Sequence, residues 1–358
     1  MNKTVSLFRD HPAEGWLSME RYANGLETGL AQIQSELDIR SLTPPVPWLG
    51  ARGMLLRRMV SYPLWARQHP ADVHHILDHS YGHLLFALPR KRSVVTIHDI
   101  APLLFPGHRL GLSGLAWRLA WRGTLRAERM IAVSEFTRQE VLQRFSVRPD
   151  RIVTIPSAIE SHFRPLSSFE LEPYAQRYPA FNGSCILHVG SLAPRKNFER
   201  LLEALNQLLA NKLKFTLYQV GGNPSPAQCA WIETNGLQSH IRFLGNIPDE
   251  ELVALYNLAN VFVFPSLYEG FGFPPLEAMA CGTPVIASNA ASLPEVTGDA
   301  AYLVDPFDSR SLADAIVQIL TNPSLADDWK QKGLARARTF SWLRTAEETL
   351  NVYRQLIP

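Results

Sequence analysis

Short, almost wholly apolar runs recur along this chain, separated by longer stretches with helical periodicity, and that alternation restricts the fold more than any other feature. Residues 94–97 (VVTI), 130–133 (MIAV) and 151–156 (RIVTIP) read as strands in the first half. Residues 185–189 (CILHV), 215–220 (FTLYQV), 261–264 (VFVF) and 284–287 (PVIA) read the same way in the second. Strands without a polar face must be covered on both sides, which is the condition of a parallel sheet flanked by helices. The helices fall between them. Leu201, Leu202, Leu205, Leu208 and Leu209 form a stripe of 3.6-residue period, and Leu312, Ala315, Ile316, Ile319 and Leu320 form another, with Ser309 as its expected cap. Ser134 is placed to cap the helix after Val133, and a last helix is expected over residues 342–356.

At ~150 residues per domain, 358 residues imply two domains. The boundary is expected within 161–184, which holds Pro165, Pro173, Pro179 and Gly183 and no strong periodic segment. This gives a first domain over 1–165, a second over 166–340, and a C-terminal helix, 341–358, crossing back to the first. Charge divides similarly: residues 1–165 carry 21 Lys and Arg against 14 Asp and Glu, and the remainder 14 against 19. The expected architecture is α/β, two doubly wound, Rossmann-like parallel-sheet domains facing across a cleft, with ligand at the strand ends.

Several classes are excluded. A formal net charge of +2 does not suit a nucleic-acid coat protein, and the basic half contains no recognisable nucleic-acid-binding module. Cys185, Cys229 and Cys281 share no metal-like spacing and form no disulfide framework, which suggests a reducing compartment. No apolar run approaches the ~18 residues of a spanning helix, and Arg9, Asp10 and Glu14 interrupt the N-terminus before a signal-peptide core forms. A cytoplasmic protein is expected. No G-x-G-x-x-G opens a helix after an early strand, against a nicotinamide-dependent dehydrogenase.

The sharpest chemical signal is residues 268–286, YEGFGFPPLEAMACGTPVI. A strand ends at Phe264, a turn bearing Gly270 and Gly272 follows, and Pro274-Pro275 opens a helix. Glycines let the backbone approach a ligand, and a helix N-terminus offers unpaired N–H groups to phosphate or sugar oxygens. Glu269 before the turn and Glu277 in the helix are suited to accept hydrogen bonds from paired hydroxyls. Taken singly, each glutamate is more simply a helix cap or a solvated side chain. A second signal is GSLAPRKN, residues 190–197, where adjacent Arg195 and Lys196 precede the leucine-striped helix and suit a diphosphate.

The segment EGFGFPPLEAMACGTPVI resembles the E-x7-E signature of the retaining glycosyltransferases of family four, which have the GT-B fold. The resemblance runs from about 183 to 354, more loosely over the first half, and GSLAPRKN resembles the basic phosphate pair of its mannosyltransferase-like branch. It implies that Glu269 contacts donor-sugar hydroxyls, that Gly270, Phe271, Gly272 and Phe273 offer backbone amides, and that Glu277 holds the ribose. It implies that Arg195 and Lys196 stabilise the leaving diphosphate. Residues 243–252 (FLGNIPDEEL) resemble the segment whose backbone, near Ile247, meets the nucleobase, before a helix capped around Asp249. His98, at the end of the 94–97 strand, resembles the histidine that reaches the donor sugar, and Asp99 binds acceptor or caps a helix. Gly15, in 15–22 (GWLSMERY), corresponds to the glycine near the phosphates, in a loop less glycine-rich than is usual; 156–160 (PSAIE) departs from the usual Asn-Gly.

Residues 74–83 (HHILDHSYGH) resemble a strand and loop of sugar-transferring relatives, where His79, Ser80, Tyr81 and His83 line the acceptor side or simply pack. Four histidines there raise metal binding, but a strand followed by a loop does not fix one ligand geometry. No metal or other cofactor is expected. Arg52, Arg57, Arg58 and Arg67 among Met54, Leu55, Leu56, Met59, Leu64 and Trp65, and Arg118, Arg122, Arg126 and Arg129 among Trp117, Leu119 and Trp121, suit shallow docking on an anionic leaflet or ordinary core helices. The function this implies is transfer of a sugar, mannose from GDP-mannose favoured, to a saccharide or lipid-linked acceptor in surface-polysaccharide assembly, in the cytoplasm or on the inner face of the membrane. The alternatives are a UDP-sugar-dependent transferase and a non-catalytic nucleotide-sugar-binding scaffold of the same fold.

Overall fold

In the computed structural model, residues 3–45, 56–105, 111–179 and 183–357 are described. Six strands, β1 Lys3–Phe8, β2 Leu37–Leu42, β3 Val73–Ile76, β4 Ser93–Ile97, β5 Arg129–Ala132 and β6 Ile152–Thr154, form one sheet in the order β2-β1-β3-β4-β5-β6. Every pairing is parallel. A second sheet holds β7 Ser184–Val189, β8 Phe215–Val220, β9 Ile241–Gly245, β10 Val261–Phe264, β11 Val285–Ser288 and β12 Tyr302–Val304, again wholly parallel, in the order β12-β11-β10-β7-β8-β9. The apolar runs predicted as strands lie in β4, β5, β6, β7, β8, β10 and β11. β2 and β9 escaped that reading because Asp38, Arg40 and Ser41, and Arg242 and Gly245, break their apolar runs, β12 because it is only three residues long, and β1 because Lys3, Thr4 and Ser6 interrupt the apolar pattern.

Contacts divide the chain into 1–160 with 340–358, and 161–339. The Trp342–Leu356 helix belongs to the first unit, where it packs on the Leu17–Ala31 helix. Gly25 and Gly29 allow that approach: a Cβ on Gly29 would lie 2.2 Å from the Trp342 carbonyl oxygen. Thr345 Oγ1 donates to the Pro156 carbonyl at 2.7 Å, and Tyr353 meets His75 beneath the sheet.

In the second unit the leucine stripe of the Phe198–Ala210 helix is buried against β7, β8 and the Ser309–Thr321 helix. The cap of the latter is Asp308, whose carboxylate accepts from the Arg310 and Ser311 amides; Ser309 is already helical. Asp249 likewise is the first residue of its helix, Asp249–Leu258, and Pro248 is the cap residue. The proline-bearing stretch read as a boundary contains a further helix, Ser168–Arg177, held by a Ser167–Glu170 capping box with Pro173 inside it. Polar composition hid its periodicity.

Candidate functional site

In a doubly wound sheet, ligands bind beyond the strand C-termini where the strand order reverses, because adjacent loops there diverge to opposite faces and open a crevice. In the second unit that point lies between β7 and β10. The loop after β7 carries Arg195 and Lys196 in a short 3-10 turn, Pro194–Lys196; the loop after β10 carries Glu269. These two loops, remote in sequence, are bolted together. Asn197, in the left-handed region at φ 58°, donates from Nδ2 to the Pro265 and Pro306 carbonyls, and the Leu267 amide donates to the Arg195 carbonyl. Ser292 Oγ donates to the carbonyls of Glu269 and Phe271, at 2.9 and 2.7 Å.

The charged groups therefore converge. Lys196 Nζ lies 2.6 Å from Glu269 Oε1 and 5.0 Å from the Phe264 ring centroid; Arg195 Nη1 lies 3.3 Å from Glu269 Oε2 and 3.2 Å from the Tyr268 carbonyl. Lys196 and Glu269 are each under a tenth exposed. Burial alone would raise the Glu269 pKa, but the Lys196 ammonium and Arg195 guanidinium outweigh it and hold the carboxyl below its ordinary value. Gly270 and Phe271 lie between Glu269 and Gly272, which occupies φ 117° with Leu293 only 2.8 Å from where a Cβ would sit. The Phe273–Ala280 helix follows immediately, and Glu277, buried within it, accepts from Tyr256 Oη at 2.8 Å. Ile247, half-buried, bridges β9 to the Asp249–Leu258 helix.

In the first unit the reversal lies between β1 and β3. The loop after β1 brings Asp10, His11, Glu14 and Gly15; Gly15 sits at φ 65° with open space where a Cβ would be. A pocket of about 360 Å³ is lined by Asp10, Gly15, Trp16, Glu20 and Asn24 among others. After β3, Asp78 accepts from the Ser80 amide at 2.9 Å and Ser80 Oγ at 2.5 Å, with His79 Nδ1 at 3.0 Å. The predicted loop there is a 3-10 helix, His79–Phe86, and it buries the acceptor-side candidates: His79 packs on Trp117 and Trp121, Tyr81 Oη accepts from the His11 amide, Ser80 is sealed, and His83 meets the Arg58 carbonyl. Burial would raise the Asp78 pKa, yet the His79, His98 and Ser80 contacts hold it far below the carboxylate range; Asp10, buried beside Asp78 and Glu14, is pushed well up. Asp10 and Asp78 were missed from sequence, Asp10 because β1 went unread.

His98 is buried, and burial lowers its pKa. Its Nε2 lies 2.8 Å from the Leu77 carbonyl; a carbonyl only accepts, so Nε2 carries the proton and Nδ1 of the neutral ring keeps its lone pair. Asp99 Oδ1 accepts from the Ala101 amide, opening the short Ala101–Leu104 helix. Of the basic-aromatic segments, Arg52, Met54 and Leu55 lie outside the described residues. Arg57 is buried, Arg58 is paired to Glu14 at 3.0 Å, and Trp121 is core, so these residues do not form an interfacial face. Leu56, Leu64, Arg118, Arg122 and Arg126 of the same segments are exposed, as are the neighbouring Val60 and Leu115. Among the described residues no helix is long and apolar enough to cross a membrane, and no group of three or more His, Cys, Asp or Glu could hold a metal ion.

Two family models match the chain: Glycosyltransferase Family 4 over residues 23–163 and Glycosyl transferases group 1 over residues 180–336. The chain belongs to this glycosyltransferase family. It is 36% identical over 285 residues to O-antigen chain mannosyltransferase B of Escherichia coli, covering 78% of this chain and 75% of that one. It is 33% identical over 277 residues to the serotype-specific mannosyltransferase WbdA of the same organism, but spans only 34% of that longer protein. Sucrose-phosphate synthase from Thermosynechococcus elongatus superposes with a TM-score of 0.79 at 22% identity, over 99% of both chains. WaaG, a glycosyltransferase involved in lipopolysaccharide biosynthesis, superposes with 0.74 at 17%, over 98% of this chain and 99% of that one. The fold is GT-B.

Proposed function

We propose that this glycosyltransferase moves mannose from GDP-mannose, with retention of configuration, to a saccharide or lipid-linked acceptor in surface-polysaccharide assembly. The observation that carries the reading is the 36% identity to an O-antigen chain mannosyltransferase across three-quarters of both chains, together with a second-unit crevice equipped for a diphosphate.

In this reading Arg195 and Lys196 bind the diphosphate and neutralise charge as it departs, the step where preorganised electrostatics act most strongly. Glu269 accepts from donor-sugar hydroxyls; the amides of Gly270, Phe271, Gly272 and Phe273, at the start of a helix, meet sugar and phosphate oxygens. Glu277 takes the ribose hydroxyls, Ile247 offers backbone to the base, and Gly15 leaves room beside the phosphates. His98 presents the Nδ1 lone pair to a sugar hydroxyl. His79, Tyr81 and Asp99 shape the acceptor side from beneath rather than by contact, since each is engaged within the fold. No metal is required, because two cations already stand where charge develops. The protein works on the cytoplasmic side, touching anionic lipid through the exposed Leu56, Val60 and Leu64 ridge and the exposed arginines.

A panel of GDP- and UDP-sugars assayed for transfer, with product anomers read by NMR, tests the reading. Axial mannosyl product from GDP-mannose, undiminished by chelator, is the expected result. Transfer from UDP-sugars alone redirects the donor assignment, and absence of turnover with every donor favours a scaffold. Sedimentation with anionic vesicles at low salt tests the membrane contact, which is abandoned if the protein stays in the supernatant.

A further inference from the structure

We propose that Glu269 acts as an internal ligand for the phosphate-binding cations, and thereby makes the site discriminate a sugar-bearing nucleoside diphosphate from a bare one. The inference rests on the donor reading above. Both charges that a diphosphate needs are engaged by one carboxylate: Lys196 Nζ on Oε1 at 2.6 Å and Arg195 Nη1 on Oε2 at 3.3 Å. The side chains of Lys196 and Glu269 are 10% and 11% exposed, so water is a poor substitute partner for either.

A ligand that draws the cations toward its phosphates must leave Glu269 with something else to accept from. A sugar supplies it, since each hydroxyl is a hydrogen-bond donor. A bare diphosphate does not. It sets a buried carboxylate beside its own negative charge and draws away that carboxylate's two cationic partners, leaving Ser266, and a buried charge without a counter-charge is strongly unfavourable. The exchange takes place in side chains, because the loops are fixed: Asn197 ties the 194–197 turn to the Pro265 and Pro306 carbonyls, and Ser292 holds the Glu269 and Phe271 carbonyls. Glu269 thus favours the intact donor before transfer and opposes retention of the nucleoside diphosphate after it.

Calorimetric titration of wild type, Glu269→Gln and Lys196→Ala with GDP, GDP-mannose, UDP and UDP-glucose tests this. Glutamine keeps the shape and removes the charge, so Glu269→Gln is expected to bind bare diphosphate about tenfold or more tighter than wild type, the cost of like-charge juxtaposition being several kcal/mol. The sugar nucleotide should gain little or weaken, narrowing the preference for donor over product. Unchanged or weaker diphosphate binding by Glu269→Gln overturns the proposal. Lys196→Ala should weaken every nucleotide. If it does not, or if wild type binds none of the four, the donor reading fails and takes this inference with it; a normal Lys196→Ala loss without the glutamine gain removes only the inference. Should the glutamine variant not fold, Glu269→Asp withdraws the carboxylate by one methylene and should shift the donor-to-product preference the same way by less. No shift there overturns the proposal equally.

Discussion

Both sheets reverse their strand order beside the first strand of their unit, and the two crevices carry opposite equipment. Beyond β7 and β10, two cations face one carboxylate, beside a turn in which Gly272 takes a positive φ. Beyond β1 and β3, Asp10, Glu14 and Asp78 gather with Ser80, His79 and the guanidinium of Arg58. One topology therefore supplies the place and the side chains supply the chemistry. The second unit's crevice presents cations at its strand ends; the first unit's carboxylates and imidazoles are spent largely on one another within the fold.

The largest expected effect tests whether the first unit's carboxylates are structural. Asp78→Ala removes the acceptor of two Ser80 hydrogen bonds and the partner of His79, and should cost about 3–5 kcal/mol of stability in urea titration. Unfolding at unchanged denaturant midpoint would show the cluster to be dispensable to the fold. Because the native Asp78 pKa lies below its unfolded value, its contribution is present above about pH 4 and is lost as pH falls below that.

Next, Lys196→Ala should lower kcat by roughly 10²–10³-fold, the loss typical of one preorganised charge-stabilising donor. Steady-state kinetics with the accepted donor check it. An effect confined to KM would mean that the ammonium binds donor and transition state equally.

Asp10 should behave in the opposite sense to Asp78. Its native pKa is raised, so wild type loses stability as pH rises through that value, whereas Asp10→Asn does not. The variant should match wild type below about pH 4 and exceed it above, by about 1.4 kcal/mol for each unit of pKa difference. Thermal melts across pH 4–8 measure this; parallel curves would mean that Asp10 is ordinary. The smallest expected effect is Ser292→Ala, which frees the Glu269 and Phe271 carbonyls and should cost about 1 kcal/mol in stability. A melting temperature unchanged from wild type would indicate that the 265–271 loop holds itself.

Much of this was legible in the chain. Val94, Ile131, Ile186, Leu217 and Val263 are fully buried, as expected of strands covered on both faces, where apolar side chains predominate. The E-x7-E segment announced itself because glycines, prolines and paired acids over so few residues have no simpler common cause. What escaped was whatever depended on a distant partner. Nothing around Ser292 marks it as the clamp of Glu269, and Asn197 reads as a helix start rather than as a tie to Pro265 and Pro306.

By itself, the sequence determined two parallel α/β sheets, the central strands β4, β5, β7, β8, β10 and β11, and the pairing of a glycine-rich turn with a proline-opened helix, since local periodicity and backbone preference settle these within a few residues. Only the tertiary structure decided that Lys196 and Arg195 pair with Glu269 and that the histidine-rich segment turns inward; that the last helix returns to the first unit was expected from the chain. Those outcomes depend on contacts between residues remote in sequence, from 25 positions for His83 and Arg58 to 73 for Lys196 and Glu269, which strand order creates and local pattern does not encode.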